Sequence, residues 1–375
     1  MNAPSFLTAS ELKKFRAELL GWFATHHRDL PWRRDRDPYR IWISEIMLQQ
    51  TRVAAVIPYF KNFCARFPEL RALAAADEAE VLRMWSGLGY YSRARNLQAA
   101  AQQIVHDHGG TFPATEHDIR ALRGIGKYTT NAILSIAFGK KHAVVEGNVA
   151  RVVARLEGVR GDLRKGSRWE SLQRTADHLL APEAPGNWNQ AMMELGATIC
   201  TPRSPQCLLC PVAKFCRARK LGLQEVIPEK RKKRATIGVL LAAAVLLDGR
   251  GRCILMPPPK KTTEKALAHD IPTLVSRMWH FPTTTVSEDP ASDLRRYLKN
   301  VLRAAGLPSR FVPLRKIRHA VTYRAINLLP FRVELKKLPR IAGAKVILLK
   351  DFSSLPVSNL TRKVARAALD AAGHS

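Results

Sequence analysis

The first part of the chain carries apolar residues at helical spacing, separated by glycine and proline. Apolar side chains recur on one helical face in residues 94–105 and 131–138. Ser10 is placed to cap a helix that begins at Glu11. Glycine and proline lie between these segments and mark turns, and strand patterns are sparse. The pattern predicts a mainly helical N-terminal domain over residues 1–225.

The pattern changes to short apolar or alternating runs in the last third of the chain. Four such runs are bounded by turn residues or prolines, which is typical of strands: Ile237–Leu247, Cys253–Met256, Ile326–Leu335 and Lys345–Leu349. We predict an α+β domain with a small sheet over residues 236–375. Residues 226–235 then form a basic linker between the two domains.

Composition adds a strong positive charge to this picture. The 375 residues carry a formal net charge of +30, and residues 226–375 alone carry +19. Such an excess indicates a polyanionic partner, either nucleic acid or an acidic membrane. The longest apolar run, residues 237–247, is too short for a membrane-spanning helix. The N-terminus also lacks a signal-peptide pattern. We therefore expect a nucleic-acid partner and no membrane.

Five consecutive basic residues, Lys230–Arg234, stand at the predicted boundary between the domains. A run of this kind is usually a solvated linker, because like charges repel and resist packing. It can also lie along a phosphate backbone. Both interpretations stay open on the sequence alone.

Four cysteines are clustered within 17 residues. Cys200, Cys207, Cys210 and Cys216 have the spacing C-x6-C-x2-C-x5-C. Four thiolates at this spacing suit either an iron–sulfur cluster or a zinc ion. Zinc sites more often use two CxxC pairs, and one is present here, so we predict a [4Fe–4S] cluster.

Two glycines, Gly124 and Gly126, precede a helical segment in the sequence LRGIGKYTT. A tight turn that leads into a helix directs backbone N–H groups at an anion, and glycine lets a phosphate approach closely. The motif alone also fits an ordinary helix–turn–helix.

Glu45 lies within an apolar segment, IWISEIML. A carboxylate in such surroundings is costly to bury unless it is paired or functional. Burial raises the pKa of a carboxyl group, which suits a general acid at neutral pH. A paired structural glutamate is the alternative.

Three longer segments carry a resemblance to a known family. Residues 37–53 read DPYRIWISEIMLQQTRV, residues 85–97 read WSGLGYYSRARNL, and residues 189–196 read NQAMMELG. Together with the glycine turn and the cysteine loop, they resemble the MutY family, the adenine DNA glycosylases of the helix–hairpin–helix superfamily. The resemblance is close over about residues 8–220.

The resemblance implies an enzyme that removes adenine mispaired with 8-oxoguanine or guanine in double-stranded DNA. The adenine is flipped out of the duplex before its glycosidic bond is cleaved. The implied fold is a helix–hairpin–helix domain with a [4Fe–4S] loop, followed by a MutT (Nudix)-like domain. We also expect a monomer in the cytoplasm of a bacterium, associated with the nucleoid.

The resemblance assigns roles to four residues near the reaction. Glu45 matches the acid that protonates adenine, and Glu146 stands where the family normally has an aspartate that stabilises the sugar cation. Tyr128 and Asn148 match positions that assist these groups. In the endonuclease III branch the position of Tyr128 is a lysine that forms a Schiff base with the sugar. A phenol cannot do so, which predicts a monofunctional enzyme.

Further residues match DNA-contacting positions. Arg33 and Gln190 match the adenine pocket, and Gln50 and Tyr90 match residues that fill or wedge the duplex around the flipped base. The alternative is that Tyr90 is an aromatic residue of the core.

The lesion-reading loop departs from the family pattern. A Phe-Ser-His sequence is usual, and here Val321-Thr322-Tyr323 takes its place. The resemblance assigns 8-oxoguanine recognition to Thr322 and Tyr323, with His319 as the alternative. No complete Nudix catalytic box is present, so we do not expect pyrophosphate hydrolysis.

Two other functions remain open at this point. An endonuclease III-like glycosylase/lyase would act on oxidised pyrimidines. A non-catalytic mismatch-binding protein would result if having Glu146 in place of the family's aspartate had abolished catalysis.

Overall fold

A computed structural model describes residues 6–163, 165–229, 235–257, 278–301, 303, 307–308, 310–321 and 323–372. The chain divides into two compact units. The first consists of Met1–Ala75 with Asn96–Lys232, and the second of Ala76–Arg95 with Lys233–Ser375. The sequence-based division at 226–235 differs from this partition in the segment Ala76–Arg95, which belongs with the second unit. The basic run Lys230–Arg234 lies outside the described residues.

Helices form most of the described part of the first unit. In chain order, the helices up to residue 220 are α1 (Ala9–His26), α2 (Pro38–Leu48), α3 (Val53–Arg66), α4 (Leu70–Ala75), α5 (Glu78–Met84), α6 (Ser92–Asp107), α7 (Glu116–Ala121), α8 (Lys127–Ile136), α9 (Gly147–Glu157), α10 (Gly166–Leu179), α11 (Pro185–Thr198) and α12 (Arg217–Lys220). Of these, α5 and the first turn of α6 belong to the second unit.

The first helix begins before the predicted position. Its N-cap is Thr8, whose hydroxyl accepts from the Glu11 backbone N–H at 3.2 Å. The Glu11 carboxylate accepts from the Thr8 N–H at 2.8 Å, which completes a capping box. The prediction of Ser10 as the cap was wrong, because Glu11 is three residues after Thr8 and only this spacing gives the reciprocal bonds.

One core of the first unit forms where α1, α9, α10 and α11 pack together. Phe15 of α1 and Trp188 of α11 are almost fully buried, and their rings meet edge to face with centroids 5.6 Å apart. Valines of α9 complete this core. Because the packing fixes α9 and α11 against each other, it also fixes the side chains that both helices direct toward the cavity described below.

The second unit is built on a seven-stranded sheet formed by its described residues. Its strands are β1 (Ile237–Asp248), β2 (Arg252–Leu255), β3 (Thr283–Thr285), β4 (Val312–Pro313), β5 (Ile317–Val321), β6 (Arg324–Leu335) and β7 (Lys345–Leu348). The main order is β4-β6-β1-β2-β7, with β3 paired to β1 and β5 paired to β6. The long strands β1 and β6 run parallel, and the other pairs are antiparallel.

Both faces of this sheet are covered, which explains the unbroken apolar run in β1. Leu241 and Val245 lie in a core with α14 (Asn359–Ala372) on one face. Ala244 and Leu246 lie in a second core on the other face, where α13 (Pro290–Arg296) packs. The four predicted strands match β1, β2, β6 and β7 within two residues at each end. The sheet is larger than predicted, because β3, β4 and β5 are short and carry weak patterns.

Among the described residues, no helix combines the length and apolar content that a membrane crossing requires. None of the six cysteines, all of which lie in the described part of the chain, forms a disulfide.

Candidate active site

A cavity of about 200 Å³ opens in the first unit and gathers most of the predicted catalytic and base-binding residues. Its walls come from α2, the N-terminal ends of α8 and α9, α11, and the turn Pro31–Arg33. The predicted residues that line it are Arg33, Glu45, Tyr128, Glu146, Asn148 and Gln190. Their positions are spread over about 160 residues of sequence, so the fold alone brings them together.

Glu45 and Tyr128 form a hydrogen-bonded pair in this cavity. Glu45 is 6% exposed on α2, and Tyr128 lies in the first turn of α8. The Tyr128 hydroxyl donates to Glu45 Oε2 at 2.6 Å. Burial raises the pKa of Glu45 to about 7, while the Tyr128 hydrogen bond lowers it and the nearby Glu146 charge raises it. A carboxyl group of this pKa can hold and release a proton at neutral pH.

Glu146 caps the N-terminus of α9. Its Oε1 accepts from the backbone N–H groups of Asn148 at 2.8 Å and Val149 at 3.0 Å. These bonds fix the carboxylate at the positive end of the helix. The Asn148 side chain is oriented by Arg151, whose Nη2 donates to Asn148 Oδ1 at 2.8 Å. The site therefore presents a positioned negative charge in the cavity that holds Glu45.

A buried ion-pair cluster forms another wall, which the sequence analysis missed. Glu194 of α11 has no exposed side-chain surface and receives hydrogen bonds from Arg28 Nε at 2.6 Å and Arg33 Nη2 at 2.8 Å. Burial opposes the ionisation of Glu194, but these bonds outweigh it and hold its pKa below the usual value. The signal in the sequence was a glutamate in an otherwise apolar helical segment, which is the same signal that identified Glu45.

The cluster fixes Arg33 where it lines the cavity. The Arg33 guanidinium also lies 5.5 Å from the centre of the Phe23 ring. Gln190 lies one turn before Glu194 on α11 and lines the same cavity. Apolar side chains complete the wall, including Trp32 and Met193. Apolar walls with a few fixed polar groups are typical of a site that binds a small organic group.

The two predicted wedge residues share an unusual backbone conformation. Gln50 has φ 57° and Tyr90 has φ 47°, both in the left-handed region that non-glycine residues seldom occupy. Gln50 is exposed just after α2, and Tyr90 is 43% exposed in the second unit. Tyr90 is therefore not a core residue. Backbone strain at exposed residues is typical of functional positions.

The glycine turn joins α7 to α8 as a hairpin. Gly124 has φ 80°, and a Cβ atom there would lie 2.7 Å from the Asn96 side chain. Gly126 is the N-cap of α8, has no side-chain cap bond, and has open space where a side chain would be. The first N–H groups of α8 are thus unobstructed, as an approaching phosphate requires.

The four clustered cysteines fit a multinuclear centre. All four are half-buried and lie in the segment that follows α11. Burial is the main cause that raises the pKa of Cys210 to about 12, and the other three thiols add to it by repulsion, so the four groups are close together. No group of three or more His, Cys, Asp or Glu side chains in the described part of the chain is arranged for a single ion. Four cysteine sulfurs are the donor set that an iron–sulfur cluster takes, so the residues present fit that group.

Helix α9 connects this loop to the cavity. Arg155 in its last turn donates to Cys200 Sγ at 3.2 Å and to the Thr201 carbonyl at 2.8 Å. Arg151 donates to the Cys200 carbonyl at 2.8 Å. The helix whose N-terminus is capped by Glu146 therefore also anchors the first cysteine.

Of the two predicted lesion-reading residues, Tyr323 lies in the turn just before β6. Thr322 lies outside the described residues. Tyr323 is half-buried, with the Arg324 guanidinium 5.2 Å from its ring centre. His319 lies on β5 on the same strand face as Ile317, which packs in the sheet core. Burial and the nearby Lys363 lower the pKa of His319.

Comparisons with known proteins point to DNA base excision. A family profile described as "HhH-GPD superfamily base excision DNA repair protein" matches residues 43–182. A second profile, "Iron-sulfur binding domain of endonuclease III", matches residues 200–216. Because the second match spans all four cysteines, the prediction of an iron–sulfur cluster is confirmed.

Curated relatives extend the similarity along the chain. The chain is 42% identical to the adenine DNA glycosylase of Homo sapiens, over 70% of this chain and 49% of the human protein. It is 33% identical to the adenine DNA glycosylase of Mus musculus, over 96% of this chain and 79% of the mouse protein. The chain thus spans about half the length of the human relative and most of the mouse relative.

A solved structure supports the helical glycosylase fold. The structure of a thermostable thymine-DNA glycosylase is 31% identical to this chain, with a TM-score of 0.51. The match covers 56% of this chain and 98% of that structure's chain. The whole of that smaller protein therefore corresponds to part of this one.

Proposed function

This chain belongs to the adenine DNA glycosylase family, and on this premise we propose that it removes adenine mispaired with 8-oxoguanine or guanine in double-stranded DNA. The observation that carries the proposal is the cavity with two carboxylates in different states. Glu45 is buried and has a raised pKa, whereas Glu146 is fixed on a helix N-terminus. Two carboxyl groups with separated environments suit an acid and a cation stabiliser.

In the proposed reaction, Glu45 supplies the proton that the leaving base needs. Adenine departs poorly as an anion, and a proton on its ring lets the C1′–N9 bond break with the electron pair going to the base. The Tyr128 hydroxyl holds Glu45 Oε2 and so directs the other carboxyl oxygen into the cavity. Water then adds to C1′, and its proton passes to the Glu45 carboxylate, which restores the acid.

Glu146 is proposed to stabilise the sugar cation between these two steps. Its Oε1 is occupied by two backbone N–H groups, so its position is fixed before the substrate arrives. A preorganised charge loses little energy to reorganisation during the reaction. The longer side chain is accommodated by the capping bonds, which supports retained catalysis over a protein that only binds mismatches.

Tyr128 also argues against lyase chemistry. A Schiff base with the sugar requires an amine at this position, and the phenol of Tyr128 is held by Glu45 instead. We therefore propose a monofunctional hydrolase rather than an endonuclease III-like glycosylase/lyase.

The remaining predicted residues are proposed to bind DNA. Arg33 and Gln190 would contact the flipped adenine, and Gln50 and Tyr90 would fill the duplex. Backbone N–H groups after Gly124 and at Gly126 would hold a phosphate. The net charge of +30 supports salt-sensitive binding to any duplex.

The second unit is proposed to be a MutT-like domain that reads the lesion. Helices on both faces of a mixed sheet support this assignment. The recognition residues would be Thr322 and Tyr323. We keep residues 1–225, 226–235 and 236–375 as the proposed functional division, and propose a monomer that acts on the chromosome of the cell, within the cytoplasm and nucleoid of a bacterium.

The decisive experiment is single-turnover cleavage of a duplex with one A:8-oxoguanine pair. The wild-type chain should release adenine, and Glu45→Gln should bind the duplex with little change but release none, because an amide cannot donate the required proton. Wild-type protein that binds but never releases adenine would leave mismatch binding as the function. Normal turnover by Glu45→Gln would remove Glu45 from the mechanism.

Lesion reading is tested with A:8-oxoguanine and A:G duplexes in parallel. Tyr323→Ala should narrow the difference in excision rate between them, whereas His319→Ala should leave it nearly unchanged. If the difference collapses only in His319→Ala, the assignment to Thr322 and Tyr323 is wrong.

A further inference from the structure

The turn that carries Tyr90 has a strained and closely bonded backbone. It connects α5 to α6 through the sequence Ser86-Gly87-Leu88-Gly89-Tyr90. Gly87, Gly89 and Tyr90 all have positive φ, at 119°, 74° and 47°. Glycine adopts positive φ readily, whereas Tyr90 keeps this conformation only when its surroundings hold it. The contacts that hold this turn therefore determine where Tyr90 lies.

One set of contacts comes from the start of α14, more than 260 residues later in the chain. Arg362 donates to Ser86 Oγ from Nη2 at 2.8 Å and from Nε at 3.2 Å. Ser86 Oγ in turn donates to the Val357 carbonyl at 2.8 Å. Ser86 is 6% exposed, so these bonds are largely shielded from water.

A second set of contacts reaches the next residue of the turn. Asn359 Nδ2 donates to the Gly87 carbonyl at 3.0 Å. The Gly87 N–H donates to the Tyr91 hydroxyl at 3.2 Å, and that hydroxyl donates to the Val357 carbonyl at 3.4 Å. Both peptide groups of Gly87 are thus fixed, directly or through Tyr91, to the segment that leads into α14.

The far side of the turn supports the Tyr90 ring itself. Arg93 Nη2 donates to the Leu88 and Gly89 carbonyls at 3.4 and 3.3 Å. Its guanidinium carbon lies 5.4 Å from the Trp85 ring centre and 5.5 Å from the Tyr90 ring centre. The Tyr90 ring therefore rests on a cation whose position depends on the same turn.

The side chains of Arg362 and Asn359 form their hydrogen bonds with this turn rather than with their own helix. In the part of the chain that the structure describes, both side-chain hydrogen bonds of Arg362 go to Ser86, and that of Asn359 goes to Gly87. Both side chains are half-buried, so neither is required to fill the core. Two polar side chains directed at one strained turn indicate a positioning role.

We propose that Arg362 and Asn359 are positioning residues for base extrusion: they hold the Ser86–Tyr90 turn so that Tyr90 can wedge into the duplex. The tail of the sheet-bearing unit thereby sets the position of the wedge. The inference rests on the proposed function, because it assumes a duplex with a flipped base. It adds residues that neither contact the base nor take part in the chemistry.

The test uses the full chain and a duplex with an A:8-oxoguanine pair and 2-aminopurine beside the lesion. Insertion of Tyr90 unstacks the fluorescent base and brightens it. Arg362→Met, which keeps an unbranched apolar stem but removes the donors, should reduce both the fluorescence change and the single-turnover excision rate by about tenfold, the size expected for lost hydrogen bonds from a charged group. Arg366→Met removes the same charge from the exposed face of α14. This variant should retain both the fluorescence change and the excision rate.

A double substitution separates positioning from general destabilisation. In a Tyr90→Ala background, Arg362→Met should lower the excision rate no further, because its effect passes through Tyr90. Asn359→Ala should show the same dependence with a smaller effect, and Arg362→Lys should recover part of the loss. Iron content and thermal unfolding are measured for each variant to establish that it is folded.

Three outcomes would overturn the proposal. These are wild-type fluorescence and excision in Arg362→Met, an equal loss in Arg366→Met, or a full further loss when Arg362→Met is added to Tyr90→Ala. Failure of the proposed function looks different, because the wild-type chain would then release no adenine while the fluorescence change on binding still reports the wedge.

Discussion

At the scale of single residues, the proposed reaction depends on whether Glu45 is protonated. Burial raises the pKa of Glu45 to about 7, and the Tyr128 hydrogen bond opposes this shift because it stabilises the carboxylate. The Tyr128 hydroxyl is therefore a tuning contact as well as an orienting one. It keeps Glu45 able to exchange its proton near neutral pH.

The pH dependence of excision follows from this pair. The acid must be protonated, so the single-turnover rate should be constant below pH about 7 and fall about tenfold per unit above it. Tyr128→Phe removes a bond to the carboxylate, raises the pKa of Glu45 and should move the falling limb to higher pH. Rate profiles against pH measure both effects.

Tyr39→Phe is the matched control for this profile. Tyr39 lies on the same helix, and its hydroxyl donates to the Phe67 carbonyl at 2.9 Å rather than to Glu45. Loss of the Tyr39 hydroxyl should leave unchanged the pH above which the excision rate falls. A falling limb that moves to lower pH in Tyr128→Phe would contradict the tuning role.

The effect of glutamate at position 146, where the family normally has aspartate, can be tested by restoring the aspartate. Glu146→Asp should keep or raise the excision rate, because aspartate is a favoured N-cap and keeps the charge at the start of α9. Glu146→Gln is the comparison that retains the length without the charge, and it should be strongly impaired. The measurement is single-turnover excision with each protein. An inactive Glu146→Asp would mean that the cavity is adapted to the longer side chain.

At the scale of elements, the side chains of the candidate site are held by helices, two of them at helix N-termini. Glu146 caps α9, Tyr128 stands in the first turn of α8, and Glu45 stands on α2. The same α9 reaches Cys200 through Arg155. Rigid helices thus hold these polar groups at fixed positions, as the proposed stabilisation of a sugar cation would require.

The hairpin gives a prediction at this scale. Gly124→Ala should lower the free energy of unfolding by about 1–2 kcal/mol, because the left-handed backbone and the Asn96 side chain both oppose a Cβ there. Gly126→Ala meets open space and a negative φ, so its stability should change less. Its methyl group should instead weaken DNA binding. Urea unfolding and duplex titration distinguish the two.

An equal loss of stability in both glycine variants would contradict this assignment. So would unchanged DNA affinity in Gly126→Ala, because the open face of the hairpin would then not meet a phosphate.

At the scale of the whole molecule, the iron–sulfur cluster and the positive charge act together. The cysteine loop carries exposed basic residues, among them Arg219 and Lys220. A cluster that folds this loop would hold positive charge in a fixed arrangement for a phosphate backbone. We assign the cluster a structural part, since the residues of the proposed reaction line a separate cavity.

The purified protein should be yellow-brown and contain iron rather than zinc. Cys210→Ser should lose most of its iron and weaken DNA binding, because one of four ligands is replaced. Cys64→Ala changes a buried cysteine on α3 that lies outside the cluster loop. This variant should retain both its iron and its DNA binding. Metal analysis of anaerobically prepared protein makes the comparison. Zinc without iron in the wild-type protein would refute the cluster.

The sequence by itself determined the elements and the chemical groups. Helices and the long strands follow from local periodicity, the cluster follows from cysteine spacing, and the burial of Glu45 follows from its apolar neighbours. Each of these depends on residues close together in the chain. The same local reasoning placed the first helix cap at Ser10, where a reciprocal bond at a distance of three residues favoured Thr8.

Only the tertiary structure decided which groups meet. The Tyr128 hydroxyl contacts Glu45 across 83 residues, and Arg33 contacts Glu194 across 161 residues. Within the second unit, Arg362 of α14 contacts Ser86 across 276 residues. No local pattern encodes such pairs, because each depends on how all the intervening helices and strands pack. The sequence therefore predicts the acid, the second carboxylate and the wedge, while the packing sets the pKa of Glu45 and the orientation and support of all three.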